Sequence, residues 1–291
     1  AKLTKPVLNQ NIDYLKDGLN KNLPETKYTK SQWQSGWIPQ ACKNLASDTK
    51  TSPKDFEIWD VTYADCGDPW VFCHHKNSGI TIDSMARQFG KVPIQMRQWV
   101  RHILDVPAEG GWAFETDGNI VFNKPDDDML PVIIHETGHS VDLSGAYDGK
   151  PISSSDDFWN NYDKDPNVSD NYAASNMVEN VAQNTVIAVY NENVPGQYAG
   201  IEPKWNNIFH QYATLISRAI ANGKGNNYFK PGQDAQCTHR MPPSAKVSVD
   251  GKKRSVEERR AGPKVGLSDN VIPIITQRDG VNKHSNCSVS W

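Results

Sequence analysis

The spacing of hydrophobic positions changes along the chain. In residues 55–63 (DFEIWDVTY) apolar and polar side chains alternate, and a short apolar run follows in residues 70–75 (WVFCHH), so both segments are predicted to be strands. Residues 110–122 hold two apolar-rich runs around Asp117-Gly118, a pair of residues favoured in tight turns, and predict a β-hairpin. These strands all precede the longest predicted helices.

Other segments repeat their apolar residues at helical spacing. The predicted helices cover residues 8–20, 81–92, 94–105, 129–144, 169–193 and 203–223. Ser169 or Asp170 is the expected cap of the long helix, because short polar side chains accept hydrogen bonds from the first turn of a helix. The segments between these helices are rich in Gly, Ser, Asp and Asn and are expected to be loops.

This order of elements predicts an α+β fold, in a single domain over residues 1–291. Residues 50–143 would form a strand-rich lobe that ends with the helix at 129–144. Residues 144–223 would form a helical lobe, and residues 224–291, which have little periodicity, an irregular extension.

Charge and hydropathy exclude several classes of protein. The formal net charge of −3 argues against general nucleic-acid binding, which requires a basic surface. No apolar run approaches the roughly 18–20 residues that a membrane-spanning helix needs. The N-terminal residues do not resemble a signal peptide, although a mature secreted protein would already have lost one. We therefore expect a monomer without nucleic-acid partners or a membrane span.

The cysteines and glycosylation motifs favour a secreted protein. The chain has five cysteines, and Cys66 and Cys73 are spaced so that a disulfide could close a small loop between them. Cys237 and Cys287 are a second candidate pair, which would leave Cys42 over, but spacing does not determine connectivity. Asn167 and Asn286 each begin an N-x-S/T motif and are candidate glycosylation sites.

The helix at 129–144 carries the strongest chemical motif, His135-Glu136-Thr137-Gly138-His139. Histidines four residues apart lie on one face of a helix, where two imidazoles can bind one Zn²⁺. Glu136, beside the first ligand, could then accept a proton from a zinc-bound water. The alternative is a buried polar cluster without metal, which would be costly behind the apolar residues 132–134.

A catalytic zinc needs a third protein ligand and one open position. Asp142 lies on the same helix face as His135, but the helix continues through Val141, so Asp142 is expected to support the ligands rather than bind zinc. Glu179 is the favoured ligand, because small and apolar neighbours would let its helix pack closely on the motif helix. Tyr172 precedes it by two helical turns and could donate a hydrogen bond to an oxyanion.

The segments HETGHSVD and YAASNMVENVAQ together resemble the catalytic domain of the anthrax lethal factor family and the related Pro-Pro endopeptidases. That resemblance implies a zincin-like fold, one Zn²⁺ bound by His135, His139 and Glu179, with Glu136 as the base and Tyr172 as the oxyanion donor. It covers residues ~110–190 only. The whole chain also resembles secreted fungal conidiation-associated proteins.

The hairpin before the motif helix would then have a function in substrate binding. In zinc peptidases of this type an edge strand pairs with an extended substrate, and residues 110–115 are the candidate strand. Its substrate-binding residues would be Gly111, Trp112, Ala113 and Phe114. The alternative is a purely structural hairpin.

These observations predict a secreted zinc-dependent endopeptidase of the gluzincin type that acts on a peptide or protein substrate. Two alternatives stay open. One is a catalytically inactive zinc-binding protein of a cell surface or cell wall, and the other is a zinc hydrolase of a bond other than a peptide.

Overall fold

A mixed six-stranded sheet forms the frame of the protein in the computed structural model, which describes residues 1–107, 110–123, 125–232, 237 and 240–251. Residues 37–39 and 246–248 form a separate two-stranded sheet. The strands are β1 (Tyr28–Gln32), β2 (Trp37–Pro39), β3 (Phe56–Tyr63), β4 (Trp70–His75), β5 (His102–Val106), β6 (Trp112–Thr116), β7 (Asn119–Asn123) and β8 (Lys246–Ser248). The large sheet has the order β1-β3-β4-β5-β7-β6.

Eight α-helices accompany the sheets within those described ranges. They are α1 (Lys16–Asn22), α2 (Gln40–Asp48), α3 (Ile82–Lys91), α4 (Ile94–Arg97), α5 (Leu130–Leu143), α6 (Asp156–Lys164), α7 (Met177–Asn193) and α8 (Phe209–Asn222). The fold is therefore mixed α and β. No helix in the described part of the chain is both long and apolar enough to cross a membrane.

The sheet combines parallel and antiparallel pairs. Strands β4, β5 and β7 run parallel, whereas β1, β3 and β4 pair antiparallel, as do β6 and β7. The predicted hairpin is confirmed. Its turn residues Asp117 and Gly118 both have positive φ, at 50° and 76°, which is the geometry that makes this pair favourable between two strands. Strand β6 forms one edge of the sheet, beside α5.

The two faces of the sheet are buried by different elements. On one face, Trp70 and Phe72 of β4 join the large core that includes α3, α5 and α7. On the other, Val71 and Cys73 of the same strand pack with Ile38 and α2 in a smaller cluster. Successive strand residues point to opposite faces, so one strand contributes to both cores.

The sequence-based prediction of elements was correct for the strands at 55–63 and 70–75 and for the helices at 81–92 and 129–144. It was wrong for the helix at 94–105, which ends at Arg97 and is followed by β5. The reason is that β5 is buried on both faces, with Ile103 in the large core and Leu104 in the smaller one. Such a strand reads as a continuous apolar run, which periodicity cannot distinguish from a buried helix.

Two segments predicted to be loops contain regular structure. Residues 28–48 hold β1, β2 and α2; β1 is largely exposed and polar, so backbone pairing with β3 rather than a hydrophobic pattern defines it. Residues 144–168 hold α6, capped by the hydroxyl of Ser155. The helix predicted over 203–223 begins only at Phe209.

The predicted disulfide between Cys66 and Cys73 is wrong. Cys73 bonds to Cys42 of α2, and Cys66 bonds to Cys237, so the suggested pair of Cys237 with Cys287 and an unpaired Cys42 are also wrong. The physical reason is that Cys66, which precedes β4, and Cys73, which lies on β4, are on opposite sides of the sheet. Cys73 points into the smaller core, whereas Cys66 packs in the large core on the opposite side of the sheet.

Candidate metal centre

Helix α5 brings three chemically active side chains together in the interior. His135, Glu136 and His139 are all buried, and each has a ligand atom within 4.8 Å of those of the other two. The two imidazole rings lie one helical turn apart, with centroids separated by 4.6 Å and planes at 89°. Pro131 in the first turn of α5 has no N–H to satisfy there, which suits the start of a helix.

A cap at the start of α7 positions Glu179. Asn176 has an extended backbone, and its side-chain oxygen accepts a hydrogen bond of 3.1 Å from the Glu179 N–H. The helix therefore begins at Met177, not near Ser169 or Asp170 as predicted. Asp170 instead accepts a 2.8 Å hydrogen bond from the Ala173 N–H, at the start of the preceding 3₁₀ turn.

The two histidines and Glu179 converge on one point. Nε2 of His139 lies 3.0 Å from Oε2 of Glu179, and Nε2 of His135 lies 3.3 Å from the same oxygen. Ligand bonds of 2.0–2.1 Å at tetrahedral angles would place two zinc ligands about 3.3 Å apart. Nε2 of His135 has no hydrogen-bond partner among the described residues, and it is buried. A donor set of two imidazoles and one carboxylate is one that Zn²⁺ accepts, so the residues fit this metal.

A glycine allows the two helices to approach this closely. A Cβ atom on Gly138 of α5 would lie 3.1 Å from both Cβ and Cγ2 of Thr185 on α7. That separation is tighter than ordinary van der Waals contact. The absence of a side chain at Gly138 is thus what lets α7 bring Glu179 to the histidines, a function of this residue that the sequence analysis missed.

A hydrogen-bond relay fixes the orientation of His135. Its Nδ1 lies 2.8 Å from Oε1 of Gln183, and Nε2 of Gln183 donates to Asp170 over 2.5 Å. Because Asp170 requires the donor side of the amide, the carbonyl side must face the imidazole, and Nδ1 of His135 carries the proton. Nε2 of His135 is then left with its lone pair directed toward Glu179.

Charges around the cluster favour its ionised forms. Burial alone would raise the pKa of Glu179, but His139 and His135 outweigh it and hold that pKa well below its usual range. Burial lowers the pKa of His139, but the carboxylates of Glu179, Glu115 and Asp142 outweigh it and the net shift is upward. The protein thus keeps Glu179 as the carboxylate that a cation would need.

Glu115 is a buried carboxylate near this cluster that the sequence analysis did not select. It lies on β6, where Oε1 accepts a 2.6 Å hydrogen bond from the Gly118 N–H and a 3.4 Å bond from the Ser140 hydroxyl. Burial raises the pKa of Glu115 to about 7. A buried position for Glu115 follows from the alternation of β6, but nothing in the sequence placed that face against α5.

Other predicted site residues lie near the cluster in different ways. The Tyr172 ring is 5.4 Å from the His135 ring, although Tyr172 precedes the 3₁₀ turn and so does not share a helix with Glu179. Asp142 is buried and accepts a 3.0 Å hydrogen bond from the Ser153 N–H, so one of its oxygens anchors the loop after α5. The roles predicted for Glu136 and Tyr172 in a reaction remain predictions.

The predicted substrate strand is indeed an edge strand, but its aromatic residues point away from the cluster. Trp112 and Phe114 stack on each other and pack against the smaller core, while Ala113 faces the large core with α5. The expectation that Trp112 or Phe114 lines a subsite beside the metal is therefore wrong. Gly111 lies just before β6 and is partly exposed.

The two glycosylation candidates have different outcomes. The side-chain nitrogen of Asn167 donates a 3.0 Å hydrogen bond to the Pro6 carbonyl, and its oxygen accepts one from Asn207, so in the folded protein this amide is engaged. Asn286 lies outside the described residues, as does Cys287.

Comparisons with known proteins identify conidiation-associated relatives, the second of the two groups that the sequence resembles, and no peptidase. A family model described as conidiation-specific protein Con-13 matches residues 10–264. Conidiation-specific protein 13 of Neurospora crassa is 32% identical over 180 residues, which are 61% of this chain and 53% of that protein. The chain therefore spans about half the length of this relative. No solved structure matches the chain.

These findings correct the predicted identity. The resemblance to the lethal factor family and the Pro-Pro endopeptidases rested on about 80 residues, whereas the match to the conidiation-specific family covers residues 10–264. The predicted endopeptidase function, the hydrolase activity and the classification as a metalloprotease are wrong, because the family and the relative are named for conidiation and not for a peptidase. The motif specifies ligand spacing, and ligand spacing alone does not specify a reaction.

Proposed function

The chain belongs to the conidiation-specific Con-13 family, and from this premise we propose that it is a zinc-binding protein with one Zn²⁺ held between α5 and α7. The ligands would be Nε2 of His135, Nε2 of His139 and a carboxylate oxygen of Glu179. The observation that carries the proposal is the convergence of these three atoms at 3.0 and 3.3 Å, close to the spacing of ligands on a tetrahedral zinc.

Three further features of the cluster support the proposal. The relay from Asp170 through Gln183 presents the unprotonated nitrogen of His135, which is the form that binds metal. The charges around Glu179 keep it ionised. Without a cation, Nε2 of His135 and Nε2 of His139 would both face the same buried oxygen of Glu179, which is an expensive arrangement in a protein interior.

The finer prediction of a zincin-like arrangement belongs to this proposal. In it, an edge hairpin lies beside the metal-bearing helix and a helical region supplies the third ligand. The positions of β6, α5 and α7 support that arrangement. Export to an oxidising compartment is also proposed, and the disulfides Cys42–Cys73 and Cys66–Cys237 support it because such bonds persist outside reducing compartments.

The test is the zinc content of purified variants after dialysis. We expect the wild-type protein to retain one equivalent of zinc and Glu179→Ala to lose it, because two imidazoles alone bind zinc weakly. Asp142→Ala should retain most of its zinc, with a loss in affinity of about 10–100-fold at most, since Asp142 supports the loop after α5.

Glu136→Gln is the matched control for loss of a buried carboxylate in the same cluster. It should keep its zinc, because Glu136 is not one of the three converging ligands. A wild-type protein without zinc affinity, or full zinc in Glu179→Ala, would contradict the proposal. Absorption spectra of Co²⁺-loaded protein would show independently whether the bound ion is tetrahedral.

A further inference from the structure

A groove separate from the metal centre lies where β1 and β2 meet the start of β3. Its cavity has a volume of about 450 Å³, within the usual range for a small-molecule site. It is lined by the loop between β1 and β2 (residues 32–37), by residues 53–58, and by Lys76, Val249 and Asp250. None of its lining residues belongs to the zinc cluster.

Aromatic rings form part of the groove wall. Trp33, Trp37 and Phe56 all line it, and all three side chains are partly exposed. The ammonium group of Lys246 lies 4.5 Å from the Trp33 ring centroid and 5.6 Å from the Trp37 ring centroid. This cation–π contact holds two indole rings in place, which reduces the entropy that a ligand would have to remove on binding.

Of the five charged side chains that line the groove, four form ion pairs with one another, and the fifth, Glu57, accepts a 3.4 Å hydrogen bond from the Trp59 indole. Lys54 pairs with Asp250 at 2.7 Å, and Lys76 pairs with Asp55 at 2.5 Å. These internal pairs leave no cluster of free cations that would select an anionic ligand. The hydrogen-bonding groups that remain for a ligand include the amides of Gln32 and Gln34 and the hydroxyl of Ser35, which make no side-chain hydrogen bond with the described residues.

From this lining we propose that the groove binds a short neutral oligosaccharide. A sugar ring has an apolar face of C–H groups that stacks on an indole and a rim of hydroxyl groups that pair with amides and hydroxyls. The groove offers both kinds of contact together, with fixed aromatic rings on its wall and free amides at its edge. An anionic ligand would have to break the existing ion pairs and would also meet the carboxylate of Glu57, whereas a neutral polyol would do neither.

The experiment is isothermal titration calorimetry of the folded protein, as the whole 291-residue chain, with three neutral tetrasaccharides: cellotetraose, laminaritetraose and tetra-N-acetylchitotetraose. We expect at least one of them to bind with a dissociation constant of about 0.1–1 mM. Trp33→Ala and Trp37→Ala should each weaken that binding about tenfold, the equivalent of one stacking contact. Gln34→Ala, an exposed substitution that should not affect folding, should weaken binding by a smaller factor.

Two controls make the result specific. Trp159→Ala removes a tryptophan that is 40% exposed on α6 and should leave sugar affinity unchanged. His139→Ala removes a proposed zinc ligand and should also leave it unchanged, so the groove and the metal site can fail separately. Circular dichroism of each variant identifies any that do not fold. If the tryptophan variants do not fold, the sugar affinity of Gln34→Ala tests the proposal.

The proposal would be overturned by the absence of binding to all three sugars at 10-fold above the highest expected dissociation constant. Sugar affinity that is unchanged in folded Trp33→Ala, Trp37→Ala and Gln34→Ala would overturn it as well. Binding of a proline-rich decapeptide but of no sugar would show instead that the groove recognises extended peptides, which also dock on exposed tryptophans.

Discussion

Glu115 is a carboxylate whose ionisation opposes folding. It lies on β6 beneath α5, where its Oε2 atom is buried without a hydrogen-bond partner among the described residues and Oε1 accepts from the Gly118 N–H and the Ser140 hydroxyl. Burial raises the pKa of Glu115 from about 4.5 to about 7, so the folded protein holds a proton on this group that the unfolded chain would release.

We predict that the metal-free protein loses stability as the pH rises from 4.5 to 8, in part through Glu115. A folded pKa raised above its unfolded value stabilises the protein at low pH, and the contribution disappears as the pH passes through 7. The shift corresponds to at most about 3 kcal/mol. Glu115→Gln, which keeps the acceptor oxygen, should flatten this dependence when urea unfolding is measured at several pH values in EDTA.

In Glu115→Gln, the free energy of unfolding should still fall with rising pH, but less steeply, because of Asp170. Burial raises the pKa of Asp170 to about 6, so its effect has the same sign in a window about one unit lower. Identical pH profiles for the wild type and Glu115→Gln would show that Glu115 is not the group that titrates.

At the scale of elements, the contact between α5 and α7 depends on the absence of one side chain. Substitution of glycine by alanine in a helix interior normally stabilises a protein, by up to about 1 kcal/mol. At Gly138 the new methyl group would meet Thr185 at 3.1 Å, and the helices would have to separate. The cost of that separation should exceed the gain in helix propensity.

We therefore predict that Gly138→Ala lowers both the melting temperature and the zinc affinity. Thr185→Ala removes the methyl and hydroxyl groups that would meet the new side chain. In the double variant, Thr185→Ala should restore part of the melting temperature and part of the zinc affinity. A double-mutant cycle measures the coupling between the two substitutions. Additive effects of the two substitutions would mean that the helices do not rely on this contact.

The sequence predicted these elements to different degrees, for physical reasons. The helix α5 and the ligand spacing of His135 and His139 were predictable because both follow from local periodicity. The start of α7 was not predictable. The helical pattern of the sequence includes Tyr172, but the extended backbone of Asn176 delays the start of the helix to Met177. Burial of β5 on both faces likewise concealed a strand in an apparent helix.

The contributions of Gly138, Gln183 and Glu115 could not be predicted, since they depend on which helix and strand lie across from them. The sequence alone does not show which helices and strands are in contact in the folded protein. The same limitation explains the wrong disulfides, because the choice between Cys42 and Cys66 as the partner of Cys73 depends on the face of the sheet.

At the scale of the whole molecule, the two disulfides close loops of very different lengths. Cys42 and Cys73 are 31 residues apart, whereas Cys66 and Cys237 are 171 apart. The longer loop ties to the sheet the segment that leads to β8, which pairs with β2 and continues into the wall of the groove. In the chain-entropy description, closing a longer loop restricts the unfolded chain more.

We predict that replacing Cys66 and Cys237 by alanine costs more stability than replacing Cys42 and Cys73. The chain-entropy values are about 5 and about 4 kcal/mol, with the difference more dependable than either value. Urea unfolding of the two double variants measures it. A larger loss from removal of Cys42 and Cys73 would mean that packing in the smaller core, where both sulfurs are fully buried, outweighs loop closure.

The N-terminal segment has a consequence for how the protein is made. Leu3 donates a backbone hydrogen bond to Ala174, Val7 forms a bridge with Val168, and Asn9 donates to Ser169. These partners leave the ribosome only after most of the sheet has been synthesised. Chains generally fold from the N-terminal side during synthesis, at roughly 5–20 residues per second. Residues 3–9 must therefore wait for several seconds or more until residues 168–174 are made, so the segment that precedes α7 is completed by residues synthesised well before it.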